Sequence, residues 1–171
     1  PNPDGLMTDY LWKDILTKSK LSRIIENYAQ VVEEVDEDTK KKSVKQIFPR
    51  YHQLDVVEKL LADVRANGVG KRYLIQHSAG SGKSNSIAWL AHQLIGIEQN
   101  GRPLIDSVLV VTDRRILDKQ IRNTIKQFMQ VSSTVAWAEH SSDLRKAIQA
   151  GKRIIITTVE KFPFVLSDIG T

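Results

Sequence analysis

The segment Ala79-Gly80-Ser81-Gly82-Lys83-Ser84, set between a short apolar stretch and an amphipathic one, constrains this chain more than any other feature. Holding a triphosphate takes several backbone N–H donors wrapped around its oxygens. Only glycines at positions such as 80 and 82 let a chain curl that tightly and come that close. A helix starting near Lys83 points the positive end of its dipole at the phosphates. Lys83 adds a mobile full charge for the β and γ phosphates, and the Ser84 hydroxyl is placed to ligate Mg²⁺. The pattern is that of a Walker A loop, GxxxxGK[ST], with one departure: His77 stands at the first glycine position. The central GxGKS, which handles the phosphates, is intact.

The surroundings fit a nucleotide-binding α/β domain. Tyr73-Leu74-Ile75 predicts a buried strand before the loop, and residues 85–95 a helix after it. Residues 108–111 predict a second strand, 116–129 a helix, 134–138 a third strand, 143–149 a helix, and Ile154-Ile155-Ile156 a fourth strand trailed by 159–166. Strands alternating with helices argue for a parallel sheet covered on both faces. Upstream, Leu54, Val57, Leu60, Leu61 and Val64 give residues 51–66 a helical period, ended by Gly68 and Gly70. Residues 9–30 are also helical in pattern, with a break near 17–19. Residues 31–48 set an acidic run against a basic one and predict a charged linker or a hairpin turning near Asp38-Thr39.

The 171 residues suffice for one core and an appendage. There is no Cys to staple it, and no apolar run approaches the ~18 residues of a membrane span. The polar opening Pro-Asn-Pro-Asp is not a signal peptide. Secreted, membrane and disordered classes recede, leaving the expectation of a cytoplasmic globular protein with no membrane partner. Pro1 in place of Met, and an ending at Ile169-Gly170-Thr171 just after an apolar segment, read as cuts from a longer protein. The first 50 residues carry nine basic and nine acidic groups, so the whole formal charge of +5 falls on the rest. Arg115, Lys119, Arg122 and Lys126, spaced 4, 3 and 4 apart, form one stripe on a helix face. A solvated surface and a phosphate-binding surface both fit that stripe.

FPRYHQLDVVEKLL at 48–61, YLIQHSAGSGKSNSIAWLAHQL at 73–94, VLVVTDRRILDKQI at 108–121 and IIITTVEKF at 154–162 stand in the order and spacing of one family. With them the chain resembles the R (motor and endonuclease) subunit of bacterial type I restriction enzymes, a superfamily 2 helicase-like translocase. LWKDILTKSKLSRIIENYAQ at 11–30 is similar to the segment joining that family's nuclease domain to its motor. The resemblance implies a RecA-like P-loop NTPase domain of α/β class with a parallel sheet, truncated before Walker B. Residues 1–48 would be the helical linker and charged hairpin, and residues 49–171 the first half of motor domain 1.

The resemblance also implies roles. ATP and Mg²⁺ would be held by Ala79, Gly80, Ser81, Gly82, Lys83 and Ser84. Gln53, at the Q-motif position, would read the adenine edge through its amide, and Tyr51 or Phe48 would stack on the base. Thr112, Asp113, Arg114, Arg115, Lys119 and Gln120 fall on motif Ia and Thr157, Thr158 and Lys161 on motif Ib, both of which touch the DNA backbone in such motors. The partners implied are duplex DNA and the modification (M) and specificity (S) subunits of the restriction complex.

Hydrolysis needs an acidic pair after an apolar strand, one carboxylate for Mg²⁺ and one for water. Asp36-Glu37-Asp38 precedes the loop, follows no core strand and does not supply it. Nothing after Lys83 supplies it either, so the pair is expected past Thr171 and the chain alone is expected to bind nucleotide weakly without hydrolysing it. Two alternatives remain open: another superfamily 2 helicase or type III restriction motor, and a non-catalytic nucleic-acid- or protein-binding module with a vestigial loop. His52, His77, His92 and His140 show no zinc spacing. Pro3-Asp4 with Asp38-Thr39-Lys40 only spells a nuclease pattern, since the second half sits in a run of charges.

Overall fold

The structure, a computed structural model, describes residues 5–35, 39–113, 121, 123–125, 135–138 and 140–161. The chain divides into two compact units, Pro1–Arg50 and Tyr51–Thr171.

In the first unit a π-helical turn, Leu11–Ile15, is followed by helix α1, Lys18–Asn27. The break between them falls at Thr17, whose extended backbone (φ −63°, ψ 144°) resets the chain direction. The Thr17 hydroxyl donates to the Asp14 carbonyl at 2.7 Å, and Lys20 Nζ reaches the Asp14 carboxylate at 2.7 Å, so both sides of the break are tied to one residue. Ile24 and Tyr28 are buried. Strands β1 (Gln30–Val35) and β2 (Lys42–Ile47) then pair antiparallel, from Gln30 opposite Ile47 to Val35 opposite Lys42. The expected hairpin is thus present, with Glu33 and Glu34 on one arm and Lys42 and Lys45 on the other.

The second unit opens with helix α2, Tyr51–Asn67, which buries Gln53, Leu54, Val57, Leu60, Leu61 and Val64 along one stripe. Gly68, at φ +76°, ends the helix and donates its N–H to the Val64 carbonyl at 2.9 Å. Helix α3, Lys83–Leu94, packs against α2 and buries Ala88, Trp89 and Ala91. A two-residue hairpin follows, β3 (Glu98–Gln99) with β4 (Arg102–Pro103), turning on Asn100-Gly101, both at positive φ (54° and 74°). That pair of left-handed residues makes the type I′ turn which Asn-Gly favours.

Strands β5 (Val108–Thr112), β6 (Val135–Trp137) and β7 (Ile154–Thr158) form a parallel sheet in the order β5-β7-β6. All five residues of the central strand β7 are buried, as its continuous apolar run requires of a strand covered on both faces. Helix α4, Ser141–Gln149, connects β6 to β7 and sets Leu144 and Ala147 against Ala138 and Ile155. Its first turn is closed by the His140 N–H, which donates to the Asp143 carboxylate at 2.9 Å. Of the helix expected over 116–129, residues 121 and 123–125 are helical, with Ile121 and Ile125 buried; the rest lies outside the described residues. So do most of residues 159–166, of which Val159–Lys161 form a 3-10 turn.

Two expectations need correction. Tyr73-Leu74-Ile75 is not a buried strand: the three residues are 43%, 94% and 44% exposed and pair with no strand among the described residues. Without a ladder partner, β-favouring side chains do not make a strand. The covering of the sheet is also uneven, since Leu109 and Val111 of edge strand β5 are 40% and 43% exposed.

Side chains rather than a ladder tie residues 71–73 to α2. Lys71 Nζ and the Asn67 amide donate to Asp63 Oδ1 at 2.8 and 2.9 Å, and the Tyr73 hydroxyl donates to Oδ2. The Lys71 bond, then the Tyr73 bond, hold the Asp63 carboxyl below its ordinary pKa, and the same carboxylate raises Lys71 and Tyr73 above theirs. A lowered carboxylate stabilises the fold above about pH 4 and loses that contribution as pH falls through its folded value. A raised phenol or ammonium stabilises below about pH 10 and loses its contribution as pH rises further. The thermal midpoint of the chain is therefore expected to exceed that of Asp63→Asn between about pH 5 and 9, and the two should converge at either extreme. An offset that stays constant down to strong acid would show that this carboxylate does not tie the segment.

Candidate nucleotide-binding site

The loop joins the segment after α2 to the start of α3, and its shape follows from two residues of α2. Gln53 is 2% exposed, and its Nε2 donates to the carbonyls of Ser81 (3.2 Å) and Gly82 (2.9 Å). His52 Nε2 lies 3.1 Å from the same Ser81 carbonyl. Gly82, at φ +80°, is the N-cap of α3, and a Cβ there would sit 2.4 Å from Gln53 Nε2. Glycine is required at 82 both for its backbone angle and for the room it leaves the amide. The carbonyl of Gly82 accepts from the N–H groups of Asn85 (3.0 Å) and Ser86 (3.4 Å), the first bonds of the helix. The N–H groups of Lys83 and Ser84 precede those bonds and face outward from the positive end of a 12-residue helix.

Lys83 is exposed, and its ammonium donates to the carbonyls of His77 (3.3 Å) and Ser78 (2.8 Å), so it sits over the loop it is expected to serve. Ser84 is half-buried beside it. A lone hydroxyl oxygen at this place suits a hard cation that takes its remaining ligands from phosphates and water. Among the described residues no group of three His, Cys, Asp or Glu could hold a metal by itself. The Ser81 Oγ is buried without a hydrogen-bond partner among the described residues. Tyr51 is 57% and Phe48 51% exposed.

The structure thus brings Gln53, Ser81, Gly82 and Lys83 together, with His52 as a member that spacing did not single out for this task. It also changes the part read for Gln53. Both N–H groups of its amide are directed at loop carbonyls, so it braces the loop in this structure, and its donors would have to re-aim to reach a base.

The residues expected to touch a nucleic acid backbone divide. Thr112 and Thr158 are register partners at the carboxyl ends of β5 and β7, where α/β sheets gather ligands. Yet Thr112, Thr157 and Thr158 are 6%, 0% and 3% exposed, and the Thr112 hydroxyl is turned toward the Thr157 carbonyl at 3.5 Å. The central position of β7 buries its hydroxyls, which takes Thr157 out of reach of an external phosphate. Arg114, Arg115, Lys119 and Gln120 lie outside the described residues, as do Arg122, Lys126 and the side chain of Lys161. Asp113 is exposed. No helix among the described residues is long and apolar enough to cross a membrane.

A parallel α/β sheet and a glycine-rich loop opening a helix define a P-loop nucleotide-binding domain compatible with the RecA-like architecture. The SWI2/SNF2 ATPase family profile matches residues 52–168, well over half of the chain, and the chain belongs to that family. It is therefore an ATPase domain of helicase-like class, a class that uses ATP and acts on nucleic acid. No curated protein matches the chain.

Proposed function

We propose that the chain is the ATP-binding part of the motor in the R subunit of a type I restriction enzyme, which couples ATP hydrolysis to translocation along duplex DNA. The observation that carries the nucleotide half of this reading is the loop itself: GxGKS at the start of α3, its carbonyls held by Gln53 and its ammonium donor Lys83 exposed above it. The restriction half rests on the resemblance of the four ordered segments and on the family match, which is to helicase-like ATPases at large.

In this reading the backbone N–H groups of residues 80–84 hold the β and γ phosphates, Lys83 neutralises them, and Ser84 is the protein's ligand for Mg²⁺. Mg²⁺, when bound, supplies the charge that draws the phosphate oxygens together. Gln53 and Tyr51 border the base end, Gln53 fixing the loop and Tyr51 offering a ring. Residues 1–48 are the linker from an upstream nuclease, and residues 49–171 the first part of motor domain 1. The M and S subunits are the partners that supply methylation and site recognition, and the cytoplasm is where the complex works. A type III restriction motor or another superfamily 2 helicase would use the same loop in the same way.

Titration of Mg-ATP and Mg-GTP into the chain tests the nucleotide half; binding of neither would sink it. Salt tests the DNA half. If Arg114, Arg115, Lys119 and Lys161 all touch phosphates of duplex DNA, log K should fall with log[salt] at about −0.9 per contact, a slope of about −3.6. Replacing Arg114 and Arg115 together with Ala should flatten it by about 1.8. A salt-independent affinity would remove these residues from the interface.

A further inference from the structure

We propose that His52 and His77 form an imidazole clasp that presets the phosphate loop, making both of them positioning residues for the nucleotide; the proposal rests on the nucleotide-binding reading above. His52 is the second residue of α2, and its Nε2 meets the Ser81 carbonyl at 3.1 Å. A carbonyl oxygen can only accept, so Nε2 carries the proton and donates. The same ring meets that of His77 edge to face, with centroids 4.9 Å apart and planes at 88°, an arrangement that aromatic pairs favour. His77 is the residue that replaces the first glycine of the motif. Where the usual pattern has no side chain, this chain carries a ring, and the ring has a dedicated partner.

The remaining contacts of His77 show what the clasp closes. Its carbonyl accepts from Lys83 Nζ at 3.3 Å, while its Nδ1 is buried with no hydrogen-bond partner among the described residues. A buried nitrogen left unpaired is unfavourable, so the hydrogen bonding of that atom does not explain the ring's place; the contact with His52 does. The first residue of the loop, the carbonyl of its fifth residue and the phosphate-binding Lys83 are thereby joined through two rings to the first turn of α2. A loop fixed at both ends needs less ordering when phosphates arrive, and affinity gains from what is not lost.

The test is calorimetric titration of Mg-ATP into the 171-residue chain. His52→Phe keeps a ring against His77 and removes the donor, and it should weaken binding by about two- to tenfold, the scale of one hydrogen bond. His52→Gln, which restores an N–H donor, should recover part of that loss. His77→Gly returns the motif to its usual pattern and should weaken rather than strengthen binding. The double variant His52→Phe/His77→Gly should bind about as His77→Gly does, because the two rings act as one unit. Additive losses, no recovery by Gln, or an unaltered affinity in folded His52→Phe would overturn the clasp. Absence of Mg-ATP binding by the wild-type chain, or binding indifferent to Lys83→Ala, would instead sink the nucleotide reading and the clasp with it.

Discussion

Gly82→Val is expected to destabilise the second unit by about 2–6 kcal/mol, from two sources that can be separated. The backbone at 82 stands at φ +80°, a left-handed angle that a β-branched residue adopts only with about 1–3 kcal/mol of strain. A Cβ there also lands 2.4 Å from Gln53 Nε2. The amide must move, and a side chain that is 2% exposed then loses its bonds to the Ser81 and Gly82 carbonyls inside the protein. Leaving buried polar groups unpaired costs about 1–3 kcal/mol more. Gly80→Val is the internal control. Gly80 has φ +71°, but nothing lies within 4 Å of where its Cβ would be, so only the backbone strain applies. Thermal unfolding should place Gly82→Val lowest, about 10–20 °C below wild type, with Gly80→Val between the two. Equal losses at 80 and 82 would mean that Gln53 does not pack on the loop as described.

The same contrast shows what spacing can and cannot reveal. The buried stripe of α2 was legible because Leu54, Val57, Leu60, Leu61 and Val64 repeat with the helical period, and burial is all that such a period encodes. The Ile154-Ile155-Ile156 run was legible for a similar reason: unbroken apolar β-branched residues suit only a strand covered on both sides. Tyr73-Leu74-Ile75 carries the same local preference and lies exposed, because a strand is made by its neighbour and none of the described residues pairs with it. The β3–β4 hairpin escaped the periodicity reading since two-residue strands have no period, although Asn100-Gly101 is a strong turn signal by itself.

Within the site, the parts that depend on local chemistry were readable and those that depend on folding back were not. Gly80, Gly82, Lys83 and Ser84 stand within five residues, so the turn they make at the start of α3 shows in one line of sequence. The meeting of His52 with Ser81 spans 29 residues and exists only because α2 and α3 pack side by side. The threonines mislead in the opposite direction. A hydroxyl at the carboxyl end of a strand looks like a phosphate grip until the strand order places β7 in the middle and closes Thr157 off.

Lys83→Ala should weaken Mg-ATP binding by about 10- to 100-fold while leaving the unfolding midpoint almost unmoved. The affinity estimate follows from what the ammonium exchanges. In this structure its two acceptors, the His77 and Ser78 carbonyls, are neutral and the side chain is exposed to solvent. Moving to phosphate oxygens replaces neutral acceptors by anionic ones, and hydrogen bonds between charged groups contribute about 1.5–3 kcal/mol, each 1.4 kcal/mol being tenfold. The stability estimate follows from the same exposure, since removing a solvent-facing group with no buried partner changes stability by about 0.5 kcal/mol at most. Gln53→Ala should do the reverse. It removes a buried brace, so the unfolding midpoint falls, and affinity falls only as far as the loop loosens. Calorimetry and thermal unfolding on both variants therefore separate the residue that binds phosphate from the residue that shapes the loop. A Lys83→Ala chain that keeps wild-type affinity would mean that the nucleotide does not bind at this loop, and that the glycine-rich turn serves here as a helix cap.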